Sequence, residues 1–184
     1  MIRAHRLFPA SSRPSAGAPS SRRGFTLIEI LSVVVILGIA SAIIVPQLGS
    51  RDDLRAAAAA RALMGDLLYA QSRSIALGKM HYVQFGSNQY QVLDSMSPAN
   101  VINNPVTQIP YTMTVGTGNL TNVSVRTANF DGNNTLAFDS MGVPYSWSSS
   151  AGPVALSSGT VTFKAGNNTK TITVSPYSGQ IKIN

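Results

Sequence analysis

One carboxylate lies inside the longest apolar run of the chain. The run extends from Phe25 to Val45, and Glu29 is its single charged residue. A charge at such a place costs about 2.5–3.5 kcal/mol on membrane-insertion scales, so it usually has a partner. No Lys, Arg or His lies between Arg23 and Arg51 to supply one within the run. The partner of Glu29 must therefore be water at the helix end or a cation outside this helix.

A cut between Gly24 and Phe25 would create such a cation. The new α-amino group of Phe25 would be positively charged at neutral pH and would lie at the depth of the Glu29 carboxylates of neighbouring chains. Glu29 would then be a recognition device between subunits. The alternative is that Glu29 extends to the aqueous interface, which is about one helical turn away.

The apolar run predicts a single membrane-spanning helix. As a helix, residues 25–45 would be about 31 Å long, enough for the roughly 30 Å hydrocarbon core of a bilayer. Arg22 and Arg23 precede the run, and basic flanks stay on the cytoplasmic side. We therefore expect a single-pass membrane protein whose N-terminal end is cytoplasmic and whose chain after Pro46 faces outward. A secretory signal cut after the Ala-Ser-Ala of residues 40–42 is the alternative, but the apolar run continues to Val45.

Basic residues are concentrated before the apolar run. The chain has 14 Lys and Arg against 7 Asp and Glu, a net charge of +7. Five of these basic residues, all arginines, lie in residues 1–24, a segment that contains no Asp or Glu and is rich in Pro, Ser, Gly and Ala. We expect this segment to be a disordered leader, and we do not expect a generally basic surface. The chain has no cysteine, which excludes disulfides and thiolate chemistry.

Residues 46–78 predict an amphipathic helix that continues the apolar one. Asp52 and Asp53 suit its first turn, and Gly78 is the predicted C-cap. Pro46 is expected to bend or loosen the junction, because proline removes a backbone donor. One apolar stripe recurs at helical spacing and should pack against a sheet. Its predicted members are Leu63, Met64, Leu67, Leu68 and Ile75.

After Gly78, apolar and polar residues alternate with a period of two, which predicts antiparallel strands in residues 79–184. A hairpin around Gly-Ser-Asn, three further strands and a final group of three make about eight strands. Residues 95–110 have weak periodicity and are expected to form a loop. The predicted fold class is therefore α+β, with a long N-terminal helix packed on an antiparallel β-sandwich or two small sheets.

The stretch "GFTLIEILSVVVILGIASAIIVPQL", residues 24–48, resembles the signal and N-terminal helix of type IV pilins and type II secretion pseudopilins. The resemblance implies cleavage after Gly24 by a prepilin peptidase and N-methylation of the new Phe25 amine. It also implies assembly with other pilins or pseudopilins through this helix, with Glu29 pairing between subunits. The matching residues are Gly24, Phe25, Thr26, Leu27, Glu29 and Pro46.

Three later stretches resemble the GspH/FimT-type minor pseudopilins. They are the helix-to-strand passage at 60–85, "LAFDSMGVP" at 136–144 and "KTITVSPYSGQIKI" at 170–183. The resemblance implies a pilin-like fold and a structural subunit of a type II secretion pseudopilus. There is one departure: Gln180 stands where many relatives have a basic residue.

The same resemblance leaves a second function open, that of a FimT-like minor type IV pilin in pilus biogenesis or DNA uptake. DNA binding needs Lys or Arg grouped on one face. The candidates are Arg126, Lys164, Lys170 and Lys182, and the last three lie on adjacent predicted strands that could share a surface. The same four cations are equally expected of a solvated β-domain.

No arrangement for catalysis is predicted, so we expect no enzymatic activity, no cofactor and no metal. His81 is at a predicted strand start, as an exposed or a packed residue. Asp94, Asp131 and Asp139 lie at predicted turns, where Asp serves the backbone. Residues 131–134, Asp-Gly-Asn-Asn, offer oxygen ligands for Ca²⁺ but lack the spacing and the closing Glu of an EF-hand.

Overall fold

The computed structural model describes residues 24–47 and 51–184, and for residues 43–47 the backbone alone. The predicted leader lies outside these residues, except for its last glycine. Helix α1 continues one residue past Pro46 before the described residues are interrupted. The break predicted at Pro46 therefore stays a prediction.

Helix α1, Leu27–Gln47, forms most of the described part of the first of two compact units, which ends at Ile44, and its last three residues belong to the second unit. Its start is defined by Thr26, whose Oγ1 accepts a hydrogen bond from the backbone N–H of Glu29 at 3.3 Å. A threonine in this position is an N-cap, because its side chain accepts a hydrogen bond from a backbone N–H of the first helical turn. No helix in the described part of the chain has the length and apolar character needed to cross a membrane.

Helix α2, Arg51–Leu77, buries one face in the second unit. Leu68 and Ile75 are not on that face, contrary to the sequence prediction, and are 41% and 52% exposed. Each follows a buried residue directly, and one residue turns a helix by about 100°. Met64 is partly buried beside the core. The buried face consists of Ala56, Ala59, Ala60, Leu63, Leu67, Ala70 and Ser74.

Gly78 ends α2, as predicted. Its φ is +64°, its N–H donates to the carbonyl of Ile75 at 3.3 Å, and the N–H of Lys79 donates to the carbonyl of Ser74 at 3.2 Å. These two bonds make a Schellman motif, which glycine allows because it has no Cβ in the left-handed region. The motif directs the chain into the first strand at His81.

The described residues form two antiparallel sheets, which confirms the predicted α+β class. The first has the strand order β3-β2-β1-β6-β7-β8, with β4 also paired to β2, and the second has the order β11-β10-β9-β5. The strands are β1 His81–Gly86, β2 Gln89–Met96, β3 Ala99–Val101, β4 Thr112–Thr114, β5 Val123–Phe130, β6 Thr135–Phe138, β7 Pro144–Ser148, β8 Gly152–Ala155, β9 Gly159–Ala165, β10 Asn168–Val174 and β11 Ile181–Ile183.

Three of these strands were not predicted. Strand β3 lies within residues 95–110, where the sequence predicts a loop, and pairs with the end of β2. Strands β7 and β8 form a further hairpin. On β7 the usual pattern is inverted, because Ser146 is buried while Tyr145 and Trp147 are only half-buried. The Ser146 hydroxyl donates to the carbonyl of Phe130 at 2.6 Å, which satisfies it inside the core.

One hydrophobic core joins α2 to both sheets. The ring of Phe85 on β1 lies 5.5 Å from that of Phe130 on β5 and 5.6 Å from that of Tyr90 on β2. Leu63 and Leu67 of α2 are fully buried in the same cluster. Strand β6 is buried along its whole length, as expected of a strand covered on both faces. This core holds one face of α2 and leaves the opposite face exposed.

Candidate assembly site

Helix α1 exposes apolar side chains on all sides. Leu27 is 84% exposed and Ile36 64%, and the apolar residues between them are at least half exposed. A helix on the surface of a globular unit has a polar outer face, whereas one that is apolar all round is covered by lipid or by other protein. The described part of α1 therefore presents an attachment surface.

Glu29 is the acid whose carboxylate has no partner within the described residues. The chain has seven Asp and Glu, and all seven lie in the described part. The bond to Thr26 uses only the backbone of Glu29, so its side chain is available to a group outside α1. The six other acids have partners. Asp52 pairs with Arg55 and Asp53 with Lys170, while Asp66 accepts from Tyr90 and Tyr111. Asp94 binds Lys79 and Asn100, and Asp131 and Asp139 accept from backbone amides.

Lys170 does not share a surface with the other candidate DNA-binding cations. It lies opposite Phe163 in the pairing of β10 with β9. Residues directly opposite each other have their side chains on the same face, and Phe163 is fully buried. Lys170 accordingly points to the helix side, where its Nζ lies 3.7 Å from Oδ1 of Asp53.

Lys164 and Lys182 lie on the outer face of the same sheet, but they are far apart. Lys164 is opposite Thr169 and Lys182 is opposite Thr173 on β10. Four residues of a strand separate these positions, which corresponds to roughly 13 Å. Arg126 lies at the bulge of β5. The three lysines therefore do not lie on one face of this sheet: Lys170 is on the helix side, and Lys164 and Lys182 are on the outer side.

A polar cluster connects α2 to the first sheet. The Asp66 carboxylate accepts hydrogen bonds from the hydroxyls of Tyr90 at 2.5 Å and Tyr111 at 2.9 Å. Burial raises the pKa of Asp66, while the two hydroxyls act in the opposite direction. Burial likewise raises the pKa of Tyr90. The cluster has one carboxyl group, and both of its oxygens accept hydrogen bonds from the two tyrosine hydroxyls. It therefore holds α2 against the first sheet and does not provide the pair of groups that general acid–base catalysis needs.

His81 is buried at the start of β1 and is held as a neutral ring. Its Nε2 accepts from Nε of Arg73 at 3.2 Å, so its proton belongs on Nδ1, which lies 3.2 Å from the carbonyl of Lys79 and 3.3 Å from Oγ of Ser74. Burial lowers the pKa of His81, and the charges of Arg73 and Lys79 lower it further. His81 is therefore a packed strand residue, one of the two states expected from the sequence.

We expect the free energy of unfolding to decrease as the pH falls below 6.5, the ordinary pKa of histidine. In that range the unfolded chain binds a proton at His81 and the folded chain does not, so acid favours unfolding until the lowered folded pKa is reached. Urea unfolding of the full chain in detergent at about pH 7.5 and about pH 5.5 measures this change. His81→Gln keeps a donor and an acceptor but does not titrate. Equal pH dependence in both proteins would contradict the prediction.

Two of the three predicted turn aspartates serve the backbone. Asp139 accepts from the amides of Met141 and Val143, each at 2.8 Å. Both carboxylate oxygens of Asp131 accept from backbone amides, so they are engaged by the fold. The prediction was wrong for Asp94, which lies on strand β2 and not at a turn. Nζ of Lys79 donates to its carboxylate at 2.9 Å.

These features define a class of protein: a pilin-like α+β chain whose apolar N-terminal helix is attached to a globular unit. A family model described as Type II transport protein GspH matches residues 59–179, well over half of the chain. The chain belongs to the GspH family, and the resemblance stated from the sequence is confirmed. A second model, described as a prokaryotic N-terminal methylation motif, matches residues 19–45.

Two individual proteins are similar to this chain. The type II secretion system core protein G of Pseudomonas aeruginosa is 70% identical over 30 residues, which are 16% of this chain and 21% of that protein. The chain thus matches about a fifth of the length of this relative. The structure of the minor pseudopilin EpsH from the type 2 secretion system of Vibrio cholerae aligns with a TM-score of 0.48 and 13% identity, over 71% of this chain and 96% of that one.

Proposed function

We propose that this chain is a minor pseudopilin of a type II secretion system, a structural subunit that assembles through its N-terminal helix into a periplasmic pseudopilus. This proposal rests on one observation: in a member of the GspH family, the Glu29 carboxylate has no partner in the described part of the chain and lies on a helix that exposes apolar side chains all round. The subunit contributes surfaces and no reaction. Its partners are a prepilin peptidase and other pseudopilins.

Processing comes first in this proposal. The peptidase removes residues 1–24 on the cytoplasmic side, and the new Phe25 amine is N-methylated. Residues 25–45 then anchor the chain in the inner membrane, with the remaining chain in the periplasm, until it enters the filament. The match of residues 19–45 to the methylation motif supports this order, as does the Arg pair before the apolar run.

Assembly depends on the first residues of the mature chain. Thr26 caps α1, so Phe25 lies just outside the helix and its amine can reach a neighbouring chain. In a low-dielectric environment an unpaired charge is costly, whereas an amine paired with the Glu29 carboxylate of a neighbour is stabilised. The pair sets the stagger between subunits, and apolar residues such as Leu27 supply packing area. The DNA-uptake alternative has no comparable support, because Lys170 faces the helix.

The N-terminus of the mature protein tests this proposal. Mass spectrometry of membrane fractions should find a chain that begins at N-methylated Phe25. Glu29→Ala should leave cleavage intact but reduce the sedimentable filament fraction by at least about tenfold, because it leaves a buried amine unpaired. Ser32→Ala is the matched control, since the Ser32 hydroxyl binds the carbonyl of Ile28 in its own helix. A chain that begins at Ile43, or that remains uncut at Met1, would contradict the proposal.

A further inference from the structure

The first sheet carries aromatic and amide side chains on the face that is turned away from the core, which we call the amide–aromatic face. Side chains alternate between the two faces of a strand, and residues directly opposite each other share a face. Phe85 on β1 and Ser146 on β7 are buried on the core side, so their neighbours in the strand point outward. The outward side chains are Tyr82 and Gln84 on β1, Gln89 and Gln91 on β2, and Tyr145 and Trp147 on β7.

Three aromatic rings of this face cover the central strand β6. Ala137 lies directly between Tyr82 and Tyr145 in the pairing of β1, β6 and β7, and it is fully buried. The ring of Trp147 lies 6.1 Å from that of Tyr82 at an interplanar angle of 76°, so these two rings meet above β6. All three aromatic residues are half-buried, which leaves part of each open to solvent. They offer apolar ring surface together with polar tips, as a ligand with both kinds of group requires.

An open pocket of about 250 Å³ lies beside these rings, and four side-chain amides line it. Gln84 lies directly opposite Gln91 in the pairing of β1 with β2, and Gly86 lies opposite Gln89 and leaves that side of the pocket without a side chain. The amide of Asn134 donates to a backbone carbonyl at 2.7 Å. The three glutamine amides have no protein partner in the described part of the chain and are open to solvent. Each offers hydrogen-bond donors and an acceptor to a ligand.

The amide–aromatic face is electrically neutral. None of the outward residues paired between the described strands β1, β2, β6, β7 and β8 is charged. Arg126 lies beyond Gly86, where it lines the neighbouring cavity beside β5. A site for phosphate or carboxylate groups would have Arg or Lys among its side chains, and a site for a hard cation would have carboxylates. The ligand that suits this face is therefore uncharged.

We propose that the amide–aromatic face binds a neutral oligosaccharide. The C–H faces of the sugar rings pack on Tyr145 and Trp147, and the sugar hydroxyls bind the glutamine amides of the pocket. From β7 to β2 the face crosses three strand spacings, roughly 14 Å, which is longer than one sugar ring. None of these residues belongs to α1, so this inference goes beyond the filament function and does not depend on it.

A sugar accounts for this face better than a protein partner does. The aromatic rings suit either ligand, because aromatic residues are also enriched in protein interfaces. The free amides favour the sugar, since a protein that covered them would have to supply a matched donor or acceptor to each, and an amide buried without partners is costly. A sugar hydroxyl can both donate and accept, so it satisfies an amide in either orientation.

Titration of the full chain with two hexasaccharides, cellohexaose and chitohexaose, tests the proposal. The detergent is a polyoxyethylene ether, because a detergent with a sugar headgroup would compete for the site. Trp147 is the only tryptophan of the chain, so its fluorescence reports on this face. At least one hexasaccharide should change the fluorescence in a saturable way, with a Kd below about 1 mM. Glucose should bind at least about tenfold more weakly, because a single ring covers only part of the face.

Two variants and a matched control locate the binding. Gln91→Leu keeps the size of the side chain but removes its amide, and it should weaken binding at least about tenfold. Gly86→Val places a side chain in the pocket at a position whose φ is not positive, and it should have a similar effect. Gln180→Leu changes an exposed glutamine at the last turn and should leave the affinity unchanged. Equal urea midpoints of the three variants show that they remain folded.

The outcomes distinguish the possible ligands. No saturable change with either hexasaccharide up to about 10 mM would overturn the inference. Equal affinities of Gln91→Leu and Gln180→Leu would overturn the assignment to the amide pocket. A photo-cross-linking residue in place of Tyr145 that reacts with a protein in assembled filaments, in a chain that binds neither sugar, would assign the face to a protein partner. Sugar binding by a chain that is not cleaved before Phe25 would overturn the proposed function and leave this inference intact.

Discussion

Replacing Gly179 by alanine should lower the free energy of unfolding by about 3 kcal/mol. Its φ is +64°, where a side chain is strained. An added Cβ would also lie 2.5 Å from Nε2 of Gln71 and 2.9 Å from the carbonyl oxygen of Gly142. Nε2 of Gln71 donates a 2.9 Å hydrogen bond to this carbonyl oxygen, so the added methyl group would push apart the two partners of a partly buried hydrogen bond.

Gly132→Ala is the matched control for this crowding. Gly132 has a φ of +89°, but an added Cβ there would meet nothing within 4 Å. Its cost should be limited to backbone strain, about 1 kcal/mol. Urea unfolding of the full chain in detergent, followed by the fluorescence of the single tryptophan, Trp147, compares the two. Equal losses would show that the contact with Gln71 contributes nothing.

Leu67→Ala should lower the free energy of unfolding by about 2–5 kcal/mol, because it leaves a cavity in the core between α2 and the sheets. Leu67 is fully buried, whereas its neighbour Leu68 is 41% exposed. Leu68→Ala removes the same atoms from the exposed face of α2 and should cost less than about 1 kcal/mol. The same unfolding measurement applies to both variants. A larger loss for Leu68 than for Leu67 would contradict the orientation of α2.

The two glycine-containing turns noted in the sequence meet at one place in the fold. Gly142 and Gly179 approach each other at the side chain of Gln71, and a Cβ at Gly142 would lie 2.9 Å from Cδ1 of Ile75. Helix α2 is thereby held by two turns that are distant in sequence. This junction explains why both turns contain glycine. Each turn packs closely against the end of α2, where a side chain on the turn would not fit.

Local chemistry made much of the fold predictable. Gly78 could be recognised as a C-cap because the helical pattern stops there, and the first hairpin because two alternating segments flank a short polar turn. Asp139 was predicted as a turn residue, since its side chain bonds to nearby amides. These features depend on residues a few positions apart, so the sequence contains them directly.

Features that depend on register were not predictable in the same way. Lys170 is assigned to the helix side because it pairs opposite Phe163, and a shift by one residue would have placed it on the outer face. The cluster of Asp66, Tyr90 and Tyr111 joins three elements, although the helical spacing of Asp66, Tyr69 and Arg73 was a signal for a polar edge on α2. Strand β3 was missed because residues 95–110 show only weak periodicity, whereas the strand forms by pairing with the end of β2.

In the proposed assembly the Phe25 amine of one chain meets the Glu29 carboxylate of the next, and these are unlike groups at different positions of the same chain. A contact between unlike surfaces is head-to-tail, so it does not close on itself as a symmetric dimer does. The resulting polymer has two unlike ends, and a subunit that lacks either group would act as a terminator at one of them.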